Sequence, residues 1–136
     1  MRIRTRHLAA CVAALAVAGA AATTASADRA ATPAQKTQIT KDVKASPVAG
    51  LRSVRDRFNV TGVRVSTVSN AWATARVVAK PRYRNTFQAG YVVLVRPPAG
   101  AWVVVDAGSA LVGCSVAPYR VLTDLGIGGC PPGERL

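Results

Sequence analysis

The spacing of apolar positions along this chain changes at Val60. Upstream of it, Thr32-Pro33-Ala34-Gln35 opens a helical pattern with Thr as N-cap, Pro at the first helical position and Gln at the third, the arrangement of a capping box. Ile39 and Val43 fall one turn apart. The pattern stops at about Ala45, because Ser46 precedes Pro47 and is pushed out of the helical region. The apolar face is thin, so this helix is expected to lie on a sheet with most of its surface wet. Pro47, Leu51, Val54 and Phe58 keep helical spacing while Arg52, Arg55 and Arg57 point elsewhere. They predict a second short helix or helical turn, interrupted at Gly50.

From Val60 the period is two. Val63, Val65 and Thr67 alternate with Arg64, Ser66 and Val68, and Ser69-Asn70 punctuates the run. Trp72 to Ala79 reads as a second strand, Gly90 to Arg96 as a third, Pro97-Pro98-Ala99-Gly100 as a turn and Ala101 to Asp106 as a fourth strand. Short connections between such Val-rich runs predict an antiparallel meander. The third and fourth strands are apolar on both faces and are expected mid-sheet, covered by the helices. Further on, Pro118, Val121, Leu122 and Leu125 predict a helix of about two turns capped by Gly126. The expected class is α+β: one or two N-terminal helices, a four-stranded antiparallel meander and a short C-terminal helix. A helix wrapped by such a sheet resembles the cystatin-like and nuclear-transport-factor-like architectures, a likeness of fold that carries no function.

The first residues change the chemistry available to this fold. Arg2, Arg4 and Arg6 precede an apolar run from Leu8 to Ala22, and Ala25-Ser26-Ala27 is a small-x-small cleavage site. This is the order of a secretory signal peptide, with an apolar run short of the roughly 20 residues a span requires. Cys11 lies before most of the apolar core, so it is not read as a lipidation site. The expected organisation is a signal peptide over 1–27 cleaved after Ala27, a flexible lead-in over 28–31 and one domain over 32–136, secreted and without a membrane span. Cleavage removes His7, the one histidine, and Cys11. It takes Lys plus Arg from 18 to 15 against six acids, a net charge of +9.

Cys114 and Cys130 are then an even pair in an exported chain, and a disulfide is the expected state. The loop it closes is worth about 3 kcal/mol in a chain-entropy account. Two cysteines without histidine or a CxxC pair do not make a zinc site. No catalytic thiol or Ser-His-Asp triad can be built without histidine either. The acids after the leader are Asp28, Asp42, Asp56, Asp106, Asp124 and Glu134. Asp106 and Asp124 are the carboxylate pair to consider for hydrolysis; solvated acids or partners for arginine are the more ordinary reading. No catalytic residue, metal or cofactor is assigned, and a non-enzyme is expected.

The most distinctive polar stretch is Lys80-Pro81-Arg82-Tyr83-Arg84-Asn85, between the second and third strands. Lys80, Arg82 and Arg84 with Tyr83 among them can attract phosphates or carboxylates and stack on a planar group. A plain solubilising loop is the competing reading. The partner class this favours is an acidic protein surface or an anionic cell-wall polymer; nucleic acid is not expected for an exported chain, and the oligomeric state stays open. Trp72 and Trp102 each open a strand and are expected at the core or its rim.

After the leader, arginine outnumbers lysine eleven to four, with alanine and valine dominant. With VRVSTVSNAWATARV, GAWVVVDAGSALVGC and APYRVLTDLGIGGC, about residues 60 to 130, the chain resembles small secreted actinobacterial proteins of streptomycete type. That resemblance implies export, the disulfide and the order of elements, and no activity. The expected function is a non-enzymatic extracellular or envelope-associated binding module, with a secreted protease inhibitor or a small carboxylate-dependent hydrolase as alternatives.

Overall fold

The computed structural model describes residues 29–136; the reading of 1–27 as a leader, with His7 and Cys11, lies outside them. Strand β1 (Arg29–Ala30) leads into helix α1 (Pro33–Ala45). The capping box is formed: the Thr32 hydroxyl accepts from the Gln35 amide at 3.2 Å, and the Gln35 side chain accepts from the Thr32 amide at 2.9 Å. Only Ile39 and Val43 of α1 are buried, as the thin apolar face requires.

The second helical stretch is a 3₁₀ segment, Val48–Val54, broken by left-handed backbone at Ala49 and Gly50. Pro47 to Phe58 is therefore not one helix; Leu51 is buried and Phe58 already opens the next strand. Strands β2 (Phe58–Val65), β3 (Trp72–Ala79), β4 (Gly90–Val95) and β5 (Val103–Gly108) follow, then helix α2 (Tyr119–Asp124). All pairings are antiparallel and the order is β1-β2-β3-β4-β5.

The sheet thus has five strands where the sequence predicts four. Arg29 and Ala30, expected to be a flexible lead-in, pair with Val65 and Arg64. Two exposed residues are too few to show any periodicity. The strand expected fourth, β5, is an edge strand and not a central one. Its two-sided apolar character has a different cause: one face meets the first core and the other meets the C-terminal segment.

Strand alternation separates two cores. Phe58, Val65, Ala75, Val77, Val92 and Leu94 pack with Ile39, Val43 and Leu51 on one face. Val93 points the other way, into Val112, Cys114, Ala117 and Leu122. Trp102 is buried in the first core and Trp72 sits half-buried beside the second. A bulge in β2 between Thr61 and Arg64 contains Gly62 at φ +57°, a left-handed turn that glycine adopts without strain.

The C-terminal segment is tied down along its length. Cys114 and Cys130 form a disulfide across 16 positions, with Cα atoms 5.5 Å apart. At the end of α2 the Gly126 amide donates to Thr123 O and the Ile127 amide to Leu122 O. With Gly126 at φ +75°, this is a Schellman cap. Beyond Cys130, the Arg135 guanidinium lies 4.2 Å over the Tyr119 ring, and its Nε donates to Cys130 O at 2.9 Å.

Candidate functional site

Lys80 follows β3 directly, and the Phe58–Ala79 register of β2 and β3 places it beside Arg57. The Lys80 amide donates to Arg57 O at 2.9 Å, fastening the loop to the residue before β2. Pro81 then starts a 3₁₀ turn, Pro81–Tyr83, in which the Tyr83 amide donates to Lys80 O at 2.7 Å. The Thr86 amide and hydroxyl both donate to Tyr83 O, at 2.9 and 3.0 Å. Phe87, stacked on Phe58 with ring centroids 5.7 Å apart, anchors the far side. The connection is thus an ordered loop tied together by its own backbone hydrogen bonds.

One of its cations, Arg82, shares a ring with Arg57, which precedes β2. The guanidinium carbons of Arg57 and Arg82 each lie 5.7 Å from the centroid of half-buried Tyr83. Guanidinium stacking of this kind holds a mobile side chain in place without neutralising it. Among the described residues, no carboxylate lies within salt-bridge distance of Arg57, Lys80, Arg82 or Arg84. Arg55 and Asp56 do meet, at 3.9 Å, but both are exposed, and such a pair contributes little. Tyr83 is thus the ring that two arginines share. Arg57 was not singled out in the sequence, because its proximity depends on the β2–β3 register.

The remaining candidate residues have structural partners. Asp106 Oδ2 accepts from the Gly113 amide at 2.6 Å and Oδ1 from the Ala107 amide at 2.8 Å. Asp124 accepts from the Ser66 hydroxyl at 2.6 Å, the Thr67 amide at 2.8 Å and the Thr67 hydroxyl at 2.9 Å. Burial pushes the Asp124 carboxyl up, but the hydrogen bonds from Ser66 and Thr67 outweigh it and hold the group below the usual carboxylate value. Each acid is bound to a different connection: Asp106 to the loop after β5, Asp124 to the β2–β3 hairpin. Nothing in these contacts joins them into a pair.

Asp42 behaves likewise, accepting from the Trp102 amide at 3.0 Å. No three metal-ligating groups gather among the described residues, and no described helix is long and apolar enough to cross a membrane. Comparison with family models, curated proteins and solved structures returns no match to this chain.

Proposed function

We propose that this chain is an exported, non-enzymatic binding module whose basic end, built on Arg57, Lys80, Arg82 and Arg84 around Tyr83, engages an anionic cell-wall polymer or an acidic protein surface. The observation that carries the reading is the pair of guanidiniums over one ring with no carboxylate within salt-bridge distance among the described residues. Fixed, unneutralised cations bind polyanions at a lower entropy cost than scattered mobile ones, and the interaction weakens with salt.

The test compares retention on teichoic-acid-bearing wall fractions across a salt gradient. Changing Lys80, Arg82 and Arg84 to Ala should release the protein at clearly lower salt. Unchanged retention with an unchanged salt dependence would remove this end of the molecule from the function.

A protease-inhibitor reading has one observation in its favour: Leu111 is 49% exposed, three residues before the disulfide-bonded Cys114. Incubation with secreted serine proteases, followed by mapping of cleavage around Leu111, decides it. Lack of both inhibition and cleavage there rejects the reading.

A further inference from the structure

From Arg57 to Val105 the chain contains no Asp or Glu, while Arg57, Arg64, Arg76, Lys80, Arg82 and Arg84 all lie within that span. Strand alternation sends several of these cations to one face of the sheet. Val60 and Val77 pair across β2 and β3 and belong to the first core or pack against it. Their neighbours Thr61 and Arg76, also paired, therefore point to the opposite face. Tyr91, paired with Arg76 from β4, points there too. Cβ atoms of residues paired in this way stand about 4.5 to 5.5 Å apart. The C-terminal segment covers the part of this face around Val93 and Trp72. Outside that cover, Asn59, Thr61, Arg76 and Tyr91 are all exposed.

The cations of this ladder stand in file. Arg57 and Lys80 occupy the next alternate positions past Asn59 and Val78, where the Lys80 amide donates to Arg57 O. Arg76 lies further back along β3, about 13 Å away at the rise of an extended strand. Arg64 pairs with Thr74, about 7 Å beyond Arg76. Its guanidinium reaches the C-terminal segment on the same face, with Nη1 3.5 Å from where a Cβ on Gly126 would stand. Among the described residues, no carboxylate lies within salt-bridge distance of Arg76. A file of cations about 20 Å long, in strands without an acid, matches an extended chain of regularly spaced negative charge. We infer that the β2–β3 ladder is the track of a linear phosphate-backboned polymer, which runs from the basic end over Arg76 to Arg64. The inference rests on the polyanion reading above and carries the contact from the loop onto the sheet face.

Calorimetric titration with triphosphate and with long-chain polyphosphate across a salt series tests it. The long chain should show the steeper fall of log affinity with log salt, because triphosphate is too short to join the basic end to Arg76. Arg76→Gln should weaken binding of the long chain several-fold and lower its salt slope by about 1, the value of one phosphate contact. Arg76→Lys should keep most of that slope, which separates lost charge from lost folding. Lys41→Gln removes the same charge from the exposed side of α1, across the sheet, and should leave the slope as it is. A long chain with no steeper slope than triphosphate, an unaltered slope in Arg76→Gln, or an equal loss in Lys41→Gln defeats the track. Tighter binding of poly-glutamate than of polyphosphate also defeats it and gives the face to acidic proteins. Wall retention of the variant changed at Lys80, Arg82 and Arg84 reports separately on the basic end, so either reading can fail alone.

Discussion

Asp124 and Ser66, 58 positions apart in the chain, meet at 2.6 Å through a carboxylate and a hydroxyl. The same Ser66 oxygen accepts from the Val68 and Ser69 amides at 3.2 Å each. The acid at the end of α2 therefore organises the whole β2–β3 turn. Asp124 is only 9% exposed, so its removal leaves several donors without a partner. Asp124→Ala should cost about 1 to 3 kcal/mol, the range for orphaning a buried donor, read as a drop in the urea midpoint.

The same contact sets an acid limit. The Asp124 carboxyl is held below its ordinary value of 3.8 by these hydrogen bonds, so the unfolded chain takes up its proton first as pH falls. The stabilisation is complete above the ordinary value and disappears as pH drops through the lowered folded value. Urea midpoints measured from pH 6 down to pH 2 should show this acid loss. Asp124→Asn should flatten that part of the profile.

Gly113 cannot be replaced. At φ +86° its backbone is left-handed, and a Cβ would lie 2.7 Å from Leu122 Cδ2 and 3.0 Å from Val93 Cγ2. Gly113→Ala should cost about 2 to 4 kcal/mol from backbone strain and overpacking together. Ala49→Gly runs the other way. It relieves a left-handed alanine at an exposed position, a gain of about 0.5 to 1 kcal/mol after glycine's extra backbone entropy. Thermal unfolding of the two variants checks both signs.

Tyr83 separates fixed charge from charge alone. Tyr83→Leu leaves every cation in place but removes the ring that Arg57 and Arg82 share. Contacts of this type are worth about 0.5 to 1 kcal/mol each at exposed sites, so retention on wall fractions should fall to lower salt without any change in net charge. Retention equal to that of the unaltered protein makes bulk charge the sufficient explanation.

Two carboxylates accept backbone amides at and beside β5, an edge strand of the sheet. Asp42 takes the Trp102 amide just before the strand, and Asp106 takes the Ala107 amide within it. Val103, between them, is 48% exposed, which makes the edge attractive once uncapped. The double change of Asp42 and Asp106 to Ala should produce concentration-dependent self-association in sedimentation velocity. A strictly monomeric double variant assigns these contacts to local stability only.

How much of this was legible beforehand depends on whether the signal was local. The capping box at Thr32, the strand from Trp72 to Ala79 and the cap at Gly126 are read from adjacent residues, and each is in place. The disulfide followed from counting thiols once a leader was inferred, and the bond is present. What escaped needed register or strain. Arg57 joins Tyr83 only because Phe58 pairs with Ala79. β1 is too short to have a period. The break at Ala49 is a left-handed alanine, and alanine is the residue that least announces one. The hydrogen bonds of Asp42, Asp106 and Asp124 link elements far apart in the chain, and no spacing rule reaches that distance.

Every strand of the sheet pairs with its neighbour in sequence, and the last strand ends at Gly108, before either bonded cysteine. Neighbour pairing keeps loop-closure costs small and folding fast. The sheet can therefore be complete while Cys114 and Cys130 are still thiols. The disulfide is then not needed to define the topology, and its place is to lock the final segment onto the sheet.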